Sequence, residues 1–284
     1  RNQMSALEAA TPVAILWEST DGEWCYVRSS HTVGWVPVSS VALCAREDIQ
    51  RWESPDNFIV ITSHRTPVYL NPELTDYFGW YTVGSKLISN GEHLLVPTRG
   101  PDGRLVEYAA YIQPENTHSG YVPYTSRNML NMAFEMLNAP YGWGGMYGEQ
   151  DCSAFLMKIF AAAGINLPRN SSQQGKAGTA IFTQKTEVLP ARDMTNFFGI
   201  PGATLIQFPG HVMLYIGNIG NDPYVIHAIW AFVEEENGEN TVRLPARIVV
   251  SHLNLSATTK RGVYFERITN VRNIVLDNEI EEIK

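Results

Sequence analysis

The sequence predicts a multidomain protein, two small all-β barrels followed by an α+β domain. Three observations carry that expectation. The first 120 or so residues alternate short β-type runs with turn dipeptides, helical periodicity first appears near Thr125, and strands return after the second helix. A length of 284 residues fits two or three domains at about 100–200 residues each, and 44% hydrophobic residues can fill their cores. Disordered and fibrous classes are excluded on that composition. The net charge of −8, with no Lys/Arg run longer than a pair, argues against a nucleic-acid or anionic-membrane partner. No apolar run reaches the roughly 18 residues that span a bilayer, and no secretory leader is legible. A start at Arg1 rather than Met suggests that the native N-terminus lies elsewhere.

Residues 1–50 form the first expected barrel, with strands at 13–17, 24–28 and 34–37 and a turn at Asp21-Gly22. Residues 51–118 form the second. Its strands fall at 58–61, 68–70, 86–88, 93–97 and 105–112, punctuated by Asn90-Gly91 and Asp102-Gly103. The α+β domain spans 119–270. Thr125 or Ser126 caps its first helix, which turns Met129, Met132, Ala133, Met136 and Leu137 toward a core. A second helix starts at Cys152 and ends before Gly164, a C-terminal glycine cap. Strands follow at 204–208, 211–216, 224–230, 247–250 and 263–265, and residues 271–284 make a C-terminal tail.

Cys152 stands at the first turn of that second helix, just past the glycine-rich run Tyr141-Gly142-Trp143-Gly144-Gly145. Unpaired N–H groups and the positive dipole end stabilise a thiolate there, and can pull a Cys pKa from about 8.5 to roughly 3.5–7.5. Downstream, His211 and His227 occupy strand-like settings, so that one can serve as base and the other as its orienter. A single cysteine or histidine is more often a packed core residue. The order Cys-helix, His-strand, His-strand favours nucleophilic catalysis. Cys25 and Cys44 can pair or remain reduced. No metal or cofactor is expected, because Cys-x-x-Cys and His-Glu-x-x-His are lacking and the histidines are scattered.

The run from Tyr141 to Gly145, Asp151-Cys152-Ser153, Leu167-Pro168-Arg169-Asn170-Ser171 with Gln174, Gly210-His211-Val212 and Val225-Ile226-His227-Ala228 resemble the signature blocks of NlpC-type cysteine peptidases. That resemblance implies a papain-like fold over 119–270. Upstream, Gly22-Glu23-Trp24 through Val27 and Gly34-Trp35-Val36 resemble bacterial SH3-like domains, the first of them N-terminally incomplete. The resemblance implies Cys152 as nucleophile, His211 as base and His227 as orienter. It implies an oxyanion site made by the Cys152 N–H and Tyr141, with Trp143, Asp151, Ser153, Arg169, Asn170 and Ser171 along the substrate groove. Arg169 has a second reading, as a hydrogen-bond hub. The loop histidine His31 is a further groove candidate.

The activity implied is that of a cell-wall DL-endopeptidase acting on the γ-D-glutamyl–meso-diaminopimelate bond of peptidoglycan stem peptides, in the cell envelope, periplasmic or secreted. One alternative is a cytoplasmic recycling peptidase restricted to free L-Ala-γ-D-Glu-diaminopimelate. Recycling members carry an Asp after the Arg to meet a free ammonium, and here that position is Asn170. The other alternative is an inactive wall-binding protein. The Cys152/His211/His227 set weighs against it.

Overall fold

The computed structural model describes residues 3–183, 199–236, 239–255 and 262–274. Its chain divides into two compact units: one of Leu7–Val122 with Ala161–Gly164, the other of Arg1–Ala6, Pro123–Phe160 and Ile165–Lys284.

The first unit opens with a meander of β1 (Ala14–Glu18), β2 (Trp24–Arg28) and β3 (Val33–Pro37). Side chains alternate across it as a pleated strand requires. Cys25 and Val27 are buried, while Trp17, Tyr26 and Trp35 line up on the other face with ring centroids 5.6 and 5.2 Å apart. Helix α1 (Arg46–Glu53) follows. Only Trp52 of it is buried, so it shows no apolar stripe and sequence periodicity does not reveal it. Strands β4 (Phe58–Ile61), β5 (Thr66–Tyr69), β6 (Tyr77–Tyr81), β7 (Lys86–Ile88), β8 (Leu94–Arg99), β9 (Leu105–Ala110) and β10 (Thr117–Ser119) complete the unit. They pair as β10-β4-β7, β5-β6 and β8-β9 over a core of Ile61, Val68, Tyr81, Leu87, Leu94, Val96 and Ala110. Strand β6 was not among the expected ones, because Tyr77-Phe78-Gly79-Trp80-Tyr81 has no polar alternation and contains a glycine.

The expected boundary at 50 falls inside α1, and Leu43 exchanges backbone hydrogen bonds with Gly103 (2.9 Å) and Leu105 (2.8 Å). The block before residue 50 is therefore laced to the block after it. Cys25, Cys44 and Cys152 are free in the structure, with no bond between Cys25 and Cys44. Cys25 points inward from β2, whereas Cys44 is exposed.

In the second unit, α2 (Ser126–Glu135) is capped by Thr125, whose side chain accepts from the Asn128 N–H. Met129, Met132, Ala133 and Met136 are buried. Leu137 is not: it lies past the helix end and is 38% exposed, because Asn138 takes a left-handed φ of 69° that turns the chain away. Helix α3 (Cys152–Ala162) is apolar nearly all round, with Phe155, Leu156, Ile159 and Phe160 fully buried. It ends as predicted at Gly164, φ 77°, where the Ile165 N–H returns to the Phe160 carbonyl at 2.9 Å.

Short helix α4 (Ser171–Gln174) leads to β11 (Thr179–Thr183), β12 (Thr204–Phe208), β13 (His211–Ile219) and β14 (Asp222–Ile229). A hairpin of β15 (Phe232–Glu236) and β16 (Glu239–Arg243) precedes β17 (Arg247–His252), α5 (Tyr264–Arg267) and β18 (Asn270–Asn273). Six strands form one antiparallel sheet in the order β11-β18-β12-β13-β14-β17.

Two expectations are corrected here. Residues 263–265 are not a strand. The Glu266 carboxylate accepts the Val263 N–H at 3.2 Å and starts α5, which buries Tyr264 and Phe265. The domain boundary at 270 also fails, since β18 fills the slot between β11 and β12 and Val271 joins the core. The rest of the expected tail, 275–284, lies outside the described residues, among which no helix is long and apolar enough to cross a membrane.

Gly164 offers a direct check on this architecture. A Cβ there meets the Tyr121 ring at 3.0 Å and a left-handed backbone. Gly164→Ala is expected to lower the unfolding free energy by about 1–2 kcal/mol, measured by urea denaturation. An unchanged midpoint contradicts the assigned cap.

Candidate active site

The local fold at the start of α3 follows from Asp151. Its Oδ1 accepts the Ala154 N–H at 2.9 Å and the Ser153 hydroxyl at 3.1 Å, making Asp151 the N-cap and Cys152 the first helical residue. Arg169 holds that cap in place. Its Nη2 donates to Asp151 Oδ2 at 2.6 Å, its Nη1 to Asp151 Oδ1 at 3.1 Å and Ser153 Oγ at 2.9 Å, and its Nε to Ser5 Oγ at 2.8 Å. Burial alone raises the Asp151 pKa, but the Arg169 hydrogen bonds and charge, with the Ala154 N–H and Ser153 hydroxyl, hold it below the ordinary carboxylate value. Of the two expectations for Arg169, these bonds match the hub. Ser153 is buried within the same cluster.

Upstream, the chain from Trp143 to Gly148 folds tightly with left-handed backbones at Gly144 (φ 61°), Gly145 (φ 81°) and Tyr147 (φ 60°). The Gly144 N–H points at Asp151 Oδ2 at 3.3 Å, and the Gln3 side chain donates to the Gly144 carbonyl at 3.0 Å. A Cβ at Gly144 lies 2.6 Å from the Gln3 carbonyl oxygen, so only glycine admits this approach. Residues 3–6 thus pack with the second unit rather than with the first barrel to which the sequence assigns them. Tyr141 is placed by its backbone, whose N–H donates to Ala246 at 2.8 Å. Its ring sits between Trp143 (centroids 5.9 Å) and Trp230 (6.0 Å), both 44% exposed.

Cys152 is 7% exposed. The backbone N–H groups of Val212 and Ser153 favour its thiolate, and Val212 stands at the start of β13 next to His211. The expectation of a depressed thiol pKa is reversed. Burial and the Asp151 charge push Cys152 up to about 11, outweighing those N–H groups and Arg169. His211 Nε2 lies 2.6 Å from His227 Nδ1, and His227 Nε2 lies 3.0 Å from Ser251 Oγ. Both rings pack against Tyr264, at 6.1 Å each, and Phe208 lies 5.2 Å from His211. Arg267 stacks over Phe208 at 4.2 Å and Tyr264 at 5.3 Å. Burial, then the Arg267 charge, lowers His211 to about 3. Burial, then the neighbouring His211, holds fully buried His227 well below the usual imidazole value.

The remaining candidates scatter. Asn170 caps α4, its Oδ1 accepting from the Gln173 N–H at 3.1 Å and Ser172 Oγ at 2.7 Å, so its carbonyl oxygen is committed to the helix. Ser171 is the first residue of that helix. His31 belongs to the first unit, in the turn between β2 and β3, with Nδ1 3.1 Å from Ser30 Oγ. Sequence reasoning did not single out Ser251, Trp230, Phe208, Tyr264, Arg267 or Ser5. Apart from Phe208, three residues before His211, each lies far along the chain from the residue it touches, and none sits in a motif.

Residues 138–229 match the NlpC/P60 family, and residues 1–37 match an SH3 domain of SH3b1 type. A gamma-D-glutamyl-L-lysine dipeptidyl-peptidase of Bacillus subtilis is 34% identical over 94 residues, 33% of this chain and 30% of that protein. A bifunctional muramidase/DL-endopeptidase, CwlT, of the same organism is 34% identical over 92 residues, 32% of this chain and 26% of that one. The chain therefore spans under a third of the length of these curated relatives. Among solved structures, an NlpC/P60 endopeptidase from Photobacterium damselae subsp. piscicida superposes with a TM-score of 0.77 at 22% identity, covering 95% of this chain and 65% of that one. An NlpC/P60 family protein from Bacillus cereus gives 0.61 at 20%, covering 94% and 80%. These two likenesses speak to fold alone.

Removing the Arg169 charge tests the cap. Asp151 is held below its ordinary 3.8, so its contribution is present above that pH and is lost as pH falls through the lower folded value. In Arg169→Met the carboxylate is left without its cation. Stability at neutral pH is expected to drop by about 3–5 kcal/mol, and acid unfolding to begin at higher pH. Equal urea midpoints for the two proteins contradict the assignment.

Proposed function

We propose that this chain, which carries an NlpC/P60 domain at residues 138–229 behind an SH3 segment at 1–37, is a cell-wall cysteine peptidase that cleaves the γ-D-glutamyl–diamino acid bond of peptidoglycan stem peptides. The observation that carries the reading is the buried hydrogen bond of 2.6 Å between His211 and His227 beside the helix-terminal Cys152. A nucleophile, a base and an orienter of that base are the parts thiol acyl transfer needs. The names of the Bacillus subtilis relatives support the substrate class.

In this mechanism Cys152 passes its proton to His211 as sulfur attacks the γ-carbonyl carbon of D-glutamate. His211 then returns the proton to the departing amine of the diamino acid, leaving an acyl-enzyme that water hydrolyses. Negative charge on the carbonyl oxygen is met by the Cys152 N–H, one of the first-turn donors with no intrahelical acceptor, and by Tyr141. Trp143 and Trp230 wall the groove, with Asp151, Ser153 and Arg169 shaping its floor. The finer target is the meso-diaminopimelate stem in an envelope location. The first unit is read as two SH3-like modules that hold the chain on the wall, and Ser171 is read as a groove contact in the second.

Asn170 favours stems still joined to glycan over free peptides, since its amide carries no charge and its oxygen is already engaged in capping α4, leaving no strong acceptor for a free ammonium. Mass spectrometry of digests of intact peptidoglycan and of free L-Ala-γ-D-Glu-diaminopimelate tests both levels. Fragments ending in γ-D-glutamate and beginning with the diamino acid are expected. Cys152→Ala should yield none, and His211→Ala should slow release by about 10²–10⁴. Cleavage by Cys152→Ala at the wild-type rate overturns the reading, and products from free peptide alone replace the wall substrate with a recycling role.

A further inference from the structure

The hydrogen bond between His211 and His227 is only part of the network behind the candidate base. The chain continues from His227 Nε2 to Ser251 Oγ at 3.0 Å. Ser251 sits on β17 opposite Val225, two residues along from the partner of His227, so that its side chain and that of His227 share one face of the sheet. It belongs to no motif, and nothing in the proposed reaction uses it.

The direction of the chain is set by the work asked of His211. Its Nε2 is engaged by His227, so the nitrogen left to receive a proton from the thiol is Nδ1. A neutral His211 with Nδ1 open carries its hydrogen on Nε2 and donates it to His227 Nδ1. His227 must then accept on Nδ1 and carry its own hydrogen on Nε2. That hydrogen needs an acceptor, because His227 is fully buried and an unmet N–H there is costly. Ser251 Oγ is positioned to accept it. We propose that Ser251 is a positioning residue that fixes both imidazoles in the tautomer leaving His211 Nδ1 open. The inference rests on reading Cys152 and His211 as nucleophile and base. Without the serine oxygen, His227 can hold its hydrogen on Nδ1 and donate toward His211, which places the His211 hydrogen on Nδ1 and closes the base.

Valine and threonine at 251 have nearly one shape, and only threonine keeps a hydroxyl. Both suit a strand position that shares its face with Val225 and Val249. The comparison uses imidazole nitrogen NMR shifts of the resting full chain and the pH profile of kcat and KM on a stem peptide. The groups facing the histidine pair are Phe208 from β12, Ser251 from β17, and Tyr264 and Arg267 from α5, so a change confined to position 251 isolates its part. In wild type and Ser251→Thr both rings should carry hydrogen on Nε2. Ser251→Val should lose that pattern, with kcat down about tenfold to hundredfold, KM little changed and folding retained. An unaltered tautomer pattern in Ser251→Val, or a kcat within about twofold of wild type, overturns the proposal. Should valine fail to fold, Ser251→Ala makes the same comparison with less bulk. A wild type that cleaves no stem peptide counts against the peptidase reading, while the NMR comparison, which needs no substrate, still decides the role of Ser251.

Discussion

Desolvation governs this site. Cys152 and His227 are buried, His211 nearly so, and Arg267 adds a positive charge beside His211. An imidazolium is disfavoured by both, and a thiolate by burial and by Asp151. Both shifts favour a resting pair of neutral thiol and neutral imidazole over two opposite charges. In the proposed reaction, proton transfer then belongs to the attack itself, when a carbonyl oxygen gathers charge against the N-terminus of α3. The same low polarity makes hydrogen-bond direction decisive, because each buried N–H must find an acceptor. This is why a serine on a neighbouring strand bears on a nucleophile it does not touch.

The Asp151–Arg169 pair gives Cys152 its address. As N-cap, Asp151 fixes where α3 begins, and so puts Cys152 at the first helical position, where its N–H has no acceptor within the helix. A carboxylate next to the thiol works against ionisation, and Arg169 compensates by spreading its donors over Asp151, Ser153 and Ser5. The site accepts a less reactive resting thiol in return for a rigid helix start. The folded glycine run before it brings Gly144 to the same carboxylate.

The elements that carry the candidate site were legible in the sequence because their signals are local. A cap at Thr125, a glycine stop at Gly164, the Cys152 helix start and the strands bearing His211 and His227 each lie within a few residues of their cause. What the sequence left dark is long-range. Strand β18 carries no signal that it inserts between β11 and β12, and the aromatic face of Phe208, Tyr264 and Arg267 comes from separated segments. The direction of the Cys152 pKa shift was misjudged for the same reason. Helix position reads from neighbours in the chain, whereas burial depends on β13 lying across the thiol. The cap that Asn170 puts on α4 through its carbonyl oxygen was likewise not read from the sequence.

The neutral resting pair is open to direct titration. The ultraviolet absorbance of the thiolate, taken as the difference between the wild-type protein and Cys152→Ala across pH, isolates the ionisation of this one sulfur. The account predicts no thiolate signal at neutral pH and half-ionisation near pH 11. A thiolate band already present at neutral pH, falling only as the solution is made acid, contradicts it and puts a preformed thiolate–imidazolium pair in its place.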